Sequence, residues 1–258
     1  MTEYTHKQRL RLFQVGKVSA QISVPDRSKT YDKVVIICHG SGGIGDAEQQ
    51  LADKLSPKVP VVMIDHFTGR GVFSHWWDKV EFTPSFHDRL DDVLMTYKTL
   101  GLINNLIKLQ PDFSVDIIGF SAGGTVAILA SQYEWVNNVT AFYPALWPLL
   151  NDFDKMKQEK IEIVTGENDD WTPLKHANMF AKQYADVTMH ILSDTKHGFM
   201  KMGTGFMENS ISFRDTEFNG PINDVGDLVG LPFTRGIHVE YHEEHAKDWH
   251  NLLYVEYC

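Results

Sequence analysis

The chain has 258 residues, 43% of them hydrophobic, enough for one large domain with a substantial core. Its formal net charge is -10 with no long basic cluster, which speaks against nucleic acid or an anionic membrane surface as partner. The two cysteines, Cys38 in an apolar run and Cys258 at the last position, predict no stabilising disulfide and a cytoplasmic, reducing setting; Met1 to Lys7 carries no signal-peptide core, and nowhere do roughly 18 apolar residues run uninterrupted.

Residues 11–24 alternate loosely and predict one or two edge strands before a turn at Pro25-Asp26. Short β-branched runs then recur at Val34–Cys38, Val61–Ile64, Val115–Ile118, Val139–Phe142, Ile161–Val164 and Val187–Leu192. Leu90, Val93, Leu94, Tyr97 and Leu100 keep helical spacing between the second and third runs, and Thr125–Ala130 reads as a helix after the third. From about residue 240, Ala246, Trp249, Leu252 and Leu253 share one face of a closing helix. Alternating strand and helix predicts an α/β class: a mainly parallel sheet covered on both faces, in one domain over residues 1–258. Two stretches break the rhythm: the aromatic-rich 68–86, and 199–237, rich in Gly, Asn and Phe. For each, two readings stand open: a lid or pocket wall, or an irregular excursion or hairpin packed elsewhere.

Chemistry gathers at the predicted strand ends. The run Gly119-Phe120-Ser121-Ala122-Gly123-Gly124 lies between a strand and a helix, the context of a G-x-S-x-G nucleophile elbow with Ser121 at its apex. After the first central strand, His39-Gly40-Ser41-Gly42-Gly43 forms a glycine-rich turn whose N–H groups can face the site. With the N–H of Ala122, a donor from Ser41 or Gly42 completes an oxyanion hole. His39 itself reads as a structural hydrogen-bonding residue. The fifth strand ends in Thr165-Gly166-Glu167-Asn168-Asp169-Asp170-Trp171-Thr172-Pro173, where three carboxylates compete to orient a base. Asp170 has a second reading, as cap of a helix starting near Thr172-Pro173. The last strand leads into Ser193-Asp194-Thr195-Lys196-His197-Gly198-Phe199, which places His197 where a general base belongs. Ser, Asp, His is also the chain order of the elbow-bearing hydrolases.

Taken in order, these motifs resemble the dienelactone hydrolase family of α/β hydrolases. The matching pieces are His39–Gly43, Asp65–Gly71, Gly119–Gly124, Gly166–Asp169 and His197–Phe199, over roughly residues 30–200. The resemblance implies an α/β-hydrolase fold, selects Asp169 as the triad acid from its G-x-x-D turn, and implies a carboxylic ester or lactone as substrate. It departs at the apex, where dienelactone hydrolases proper carry cysteine and this chain has Ser121; a broader serine-esterase chemistry follows. It also implies two anchors for a substrate carboxylate, near Arg70 and Lys201, although lysine lacks the guanidinium fork. For Arg70 the competing reading is a tie within its own loop. Residues 200–240 match nothing in the family pattern.

Trp76, Trp77, Trp147 and Trp171 all follow predicted strands, either lining the mouth of the site or packing in the core. His242-Glu243-Glu244-His245 is one residue short of H-E-x-x-H, so with His238 it reads as a solvated terminal helix and no metal is expected. No phosphate-binding glycine motif is present, and no cofactor is expected. The same triad would serve an acyltransferase, and a non-catalytic binding protein of this fold is the rival outside enzymology. The oligomeric state, including a homo-oligomer, is left open.

Overall fold

The computed structural model describes residues 9–15, 18–72, 84–150, 161–184, 186–201, 204–207 and 237–257. Eight strands form one sheet: β1 (Arg9–Val15), β2 (Val18–Ser23), β3 (Tyr31–Cys38), β4 (Val61–Asp65), β5 (Leu109–Phe120), β6 (Val136–Phe142), β7 (Ile161–Gly166) and β8 (Val187–Leu192). Their spatial order is β1-β2-β4-β3-β5-β6-β7-β8. The pairs β1–β2 and β2–β4 are antiparallel, and every pair from β4 to β8 is parallel. The helices are α1 (Asp46–Leu55), α2 (Phe86–Ile107), α3 (Ala122–Ala130), α4 (Leu174–Gln183) and α5 (Glu243–Glu256).

The alternation within β3 divides the core. Val34, Ile36 and Cys38 face a cluster with Leu90 and Val93 of α2, Val126 of α3 and Phe180 of α4. Val35 and Ile37 face the other side, against Leu51 and Leu55 of α1 and Trp249 and Leu253 of α5. Both faces of the central strands are thus covered, which is why they read as unbroken apolar runs. β8 is an edge strand, opposite β1, and half-exposed, with Ile191 49% accessible. α2 starts at a capping box: Asp88 N–H donates to Ser85 Oγ at 2.9 Å, and Ser85 N–H to Asp88 Oδ2 at 3.0 Å.

This topology positions the site. Strand order reverses at β3, flanked by β4 on one side and β5 on the other, and ligands in open α/β sheets bind beyond the strand ends at such a switch. Cys38 pairs with Gly119, so the turn after β3 and the elbow after β5 leave the sheet side by side.

Part of the 199–237 stretch is ordered as strand. β9 (Thr204–Met207) pairs antiparallel with β10 (Ile237–Glu240) in a second, two-stranded sheet. Residues 202–203 and 208–236 of that stretch lie outside the described residues, as do residues 73–83 with Trp76 and Trp77. Among the described residues no helix is long and apolar enough to cross a membrane. Cys38 is a buried free thiol, pushed up to about 12 by desolvation, which keeps it protonated and unreactive.

Candidate active site

The elbow is built by steric exclusion. Ser121 has φ 52° and ψ -118°, a conformation rarely tolerated outside glycine, and its N–H is held by Phe142 O at 2.9 Å. A Cβ on Gly119 would overlap the Gly123 carbonyl, and one on Gly123 would overlap the carbonyls of Cys38 and His39. Strand, turn and helix can therefore pass at backbone distance only with glycine there. Ser121 O accepts the N–H groups of Gly124 and Thr125, which starts α3 at Ala122 and leaves its first N–H groups facing the turn.

A chain of hydrogen bonds runs outward from the serine. His197 Nε2 lies 3.1 Å from Ser121 Oγ, and His197 Nδ1 lies 2.8 Å from Asp169 Oδ2. His197 is 3% exposed and Asp169 4%. Asp169 is fixed by its own turn: Oδ1 accepts the N–H of Trp171 at 2.9 Å and of Thr172 at 2.8 Å. Thr172 Oγ1 stands 2.9 Å from Asp169 Oδ2 and 3.1 Å from His197 Nδ1. The imidazole packs against Tyr143 and Trp171, with ring centroids 4.8 and 4.7 Å away. Tyr143 is itself strained at φ 39°, and burial, with Glu48 and Asp169 nearby, holds its phenol well above the usual range.

The glycine-rich turn rests on a buried polar network. His39 Nδ1 is 2.6 Å from Gly40 O, and His39 Nε2 accepts the His66 N–H at 3.1 Å. A carbonyl only accepts and an amide only donates, so His39 is the neutral Nδ1–H tautomer. Burial, then His66 and Arg89, holds its basicity well below the ordinary value. His66 Nδ1 meets Asp92 Oδ2 at 2.8 Å, and Asp92 takes both terminal nitrogens of Arg70 at 2.8 and 2.9 Å. On the other side, Glu48 accepts the N–H groups of Gly40 at 3.3 Å and Gly45 at 2.9 Å, bracketing the turn.

Several expectations are refined by these contacts. Arg70 is engaged bidentately by Asp92 and also donates to His66 O at 2.9 Å, so the loop-tie reading describes it and the carboxylate-anchor reading does not. Lys201 reaches the turn: its Nζ lies 3.9 Å from where a Cβ of Gly42 would stand, and its charge bears on Glu48. Trp171 borders His197, whereas Trp147 is 3% exposed, in the core cluster and edge-on to Phe86. Asp170 does not cap α4, whose N-cap Pro173 has no side-chain bond; it holds His238 instead. His242 and His245 stack on each other, and among the described residues no group of three metal-binding side chains forms. Thr172, Tyr143 and Glu48 escaped the sequence reading; only the spacing of Thr172 from Asp169, three residues on, signalled an Asx turn.

An eight-stranded, mainly parallel sheet with an elbow serine at its switch point defines an α/β hydrolase. The chain matches the dienelactone hydrolase family over residues 18–216 and belongs to that family. Its Ser121–His197–Asp169 arrangement fits a triad. Among solved structures, a candidate dienelactone hydrolase from Klebsiella pneumoniae superposes with TM-score 0.61 at 14% identity, covering 96% of each chain. Est1E from Butyrivibrio proteoclasticus gives TM-score 0.57 at 15% identity over 73% of this chain and 90% of its own. XC6422 from Xanthomonas campestris, described as an α/β serine hydrolase without lid, gives 0.55 at 16% identity over 75% and 86%. At these identities the likeness is one of fold. Comparison with curated proteins gives no match.

Proposed function

We propose that the protein is a serine hydrolase that cleaves carboxylic esters or lactones through an acyl-enzyme. The observation that carries this reading is the unbroken path Asp169–His197–Ser121, buried behind a strained, outward-facing serine. In the proposed cycle His197 Nε2 takes the Ser121 proton as Oγ attacks the carbonyl carbon. Asp169 holds the imidazole tautomer and stabilises the imidazolium. His197 then protonates the leaving alkoxide, and a water, activated by the same imidazole, releases the acid.

The oxyanion sits between the N–H of Ala122 and one from the 39–43 turn. The His39–Gly40 contact favours Ser41 over Gly42 as the second donor. The carbonyl and N–H of a trans peptide point in opposite directions, so anchoring Gly40 O on His39 turns the Ser41 N–H the other way. A Cβ on Gly40 would lie 3.4 Å from Ser121 Cβ, which brings this peptide beside the nucleophile. Losing one such donor costs about 3 kcal/mol in the transition state. Trp171 supplies an apolar wall, and Lys201, over the Gly42 side of the turn, favours substrates with a negative group remote from the scissile bond.

A panel of p-nitrophenyl esters and aliphatic lactones tests the reaction class. Ser121→Ala and His197→Ala are each expected to lower kcat at least about a thousandfold while the fold survives. Hydrolysis of no ester or lactone by the folded wild-type enzyme would end this reading.

A further inference from the structure

β10 lies beyond the end of the family match at residue 216, yet it grips both loops of the proposed triad. On the acid side, His238 holds the carboxylate next to Asp169. Its backbone N–H donates to Asp170 Oδ1 at 2.9 Å, and its ring Nδ1 lies 2.7 Å from Asp170 Oδ2. On the base side, Glu240 N–H donates to His197 O at 3.1 Å and His242 N–H to Phe199 O at 3.1 Å. Val239 pairs with His197 in a parallel bridge, and a Cβ on Gly198, which has φ 73°, would stand 2.8 Å from Val239 Cγ1. Alternate residues 238, 240 and 242 of one extended segment thus fasten residues 170, 197 and 199.

We infer that Asp170 and His238 form a positioning pair that fixes the acid loop against the base loop. The inference rests on the triad reading above. The Asp169–His197 contact spans two loops from different strands, β7 and β8, so any displacement of one loop relative to the other is felt directly at the imidazole. A shared strand that binds both loops removes that freedom. An ordinary surface ion pair would add little. This contact differs on the acid side: the Asp170 side chain is 8% exposed, although the His238 side chain is 48% exposed, and both carboxylate oxygens are met by that one residue, by backbone N–H and by ring, which fixes direction as well as distance. The Lys196–Glu240 pair, at 2.6 Å with both side chains more than a third exposed, adds at most a weak second fastening. Neither Asp170 nor His238 need touch substrate; both act through His197.

The test uses the full chain with His238→Ala and His238→Asn, since an asparagine amide can occupy the place of Nδ1 and donate to Asp170. In protein carrying histidine labelled with carbon-13 at Cε1, the His197 signal is assigned by its loss in His197→Gln. His238→Ala is expected to shift or split that signal with little change in Tm, to lower kcat for p-nitrophenyl acetate about tenfold, and to leave KM within about twofold. His238→Asn is expected to restore the signal and most of kcat. An unchanged His197 signal in His238→Ala overturns the inference, as does a signal change accompanied by wholesale loss of Tm that His238→Asn fails to rescue. Because the signal is read without turnover, absence of esterase activity in the wild type would defeat the hydrolase reading while the positioning claim is still decided by His197.

Discussion

At the scale of single residues, the site depends on side chains whose roles follow from local turn chemistry. Thr172 closes the acid loop because Asp169 folds its own chain back through two backbone N–H groups, placing the threonine hydroxyl 2.9 Å from the carboxylate oxygen that faces His197. Thr172→Val keeps the shape and removes the hydroxyl's contacts to Asp169, His197 and Tyr143 O, a net loss of about 1 kcal/mol. A fall in kcat of about fivefold with KM unchanged is expected in ester kinetics, and an unaltered kcat would remove Thr172 from the positioning set. Lys201 makes a different prediction. Lys201→Ala should raise KM for esters with a distal carboxylate several-fold and leave neutral esters alone, a contrast that should fade with salt. Ser121, Asp169 and His197 were legible as candidates because each ends a strand and their order matches one catalytic chemistry. Thr172 and His238 were not: one owes its place to a turn, the other to tertiary pairing with Asp170, 68 residues away in sequence.

At the scale of elements, the central strands announce themselves because burial on both faces leaves few polar positions, Asp116 in β5 and Thr165 in β7 among them. Val34–Cys38 is the clearest case, all five residues buried. β5 begins at Leu109, ahead of the run from Val115 that sequence patterning picks out, since Gln110, Pro111 and Asp112 are exposed and carry no apolar signal. β9 and β10 escaped for a related reason. Each is four residues long and shows its regularity only through its partner. The docking of β10 beside Gly198 makes this element sensitive to one atom. Gly198→Ala places a methyl against Val239 at a backbone angle alanine resists, so β10 must shift. The expected result is a loss of kcat larger than the loss in Tm would suggest, and partial recovery in Gly198→Ala with Val239→Ala, measured by kinetics and thermal melts. Full activity in the single variant would mean the contact is not maintained in solution.

At the scale of the whole molecule, buried neutral histidines set the response to acid. Burial holds His39 and His66 well below their ordinary values and His176 at about 4. An unfolded chain takes up protons at these positions below about pH 6.5, while the folded chain does not, so the unfolded state gains as pH falls. Each such histidine lowers the unfolding free energy by about 1.4 kcal/mol per pH unit in that window, until its folded-state value is reached. Glu48 and Asp92, raised by burial, oppose this through protons they bind in the folded state. Denaturant unfolding between pH 7 and pH 5 should therefore show falling stability, with a slope reduced by the share of one proton in His176→Leu. An identical slope in that variant would mean His176 is not held neutral.

The central claim is that Ser121 is an activated nucleophile. Its most direct measurement is labelling of the full chain by a fluorophosphonate probe, with the modified residue located by peptide mapping and Ser121→Ala as control. The structure predicts one label, on Ser121, that abolishes ester hydrolysis and is absent from the control. Labelling that persists in a folded Ser121→Ala protein, or ordinary turnover by that variant, would contradict it.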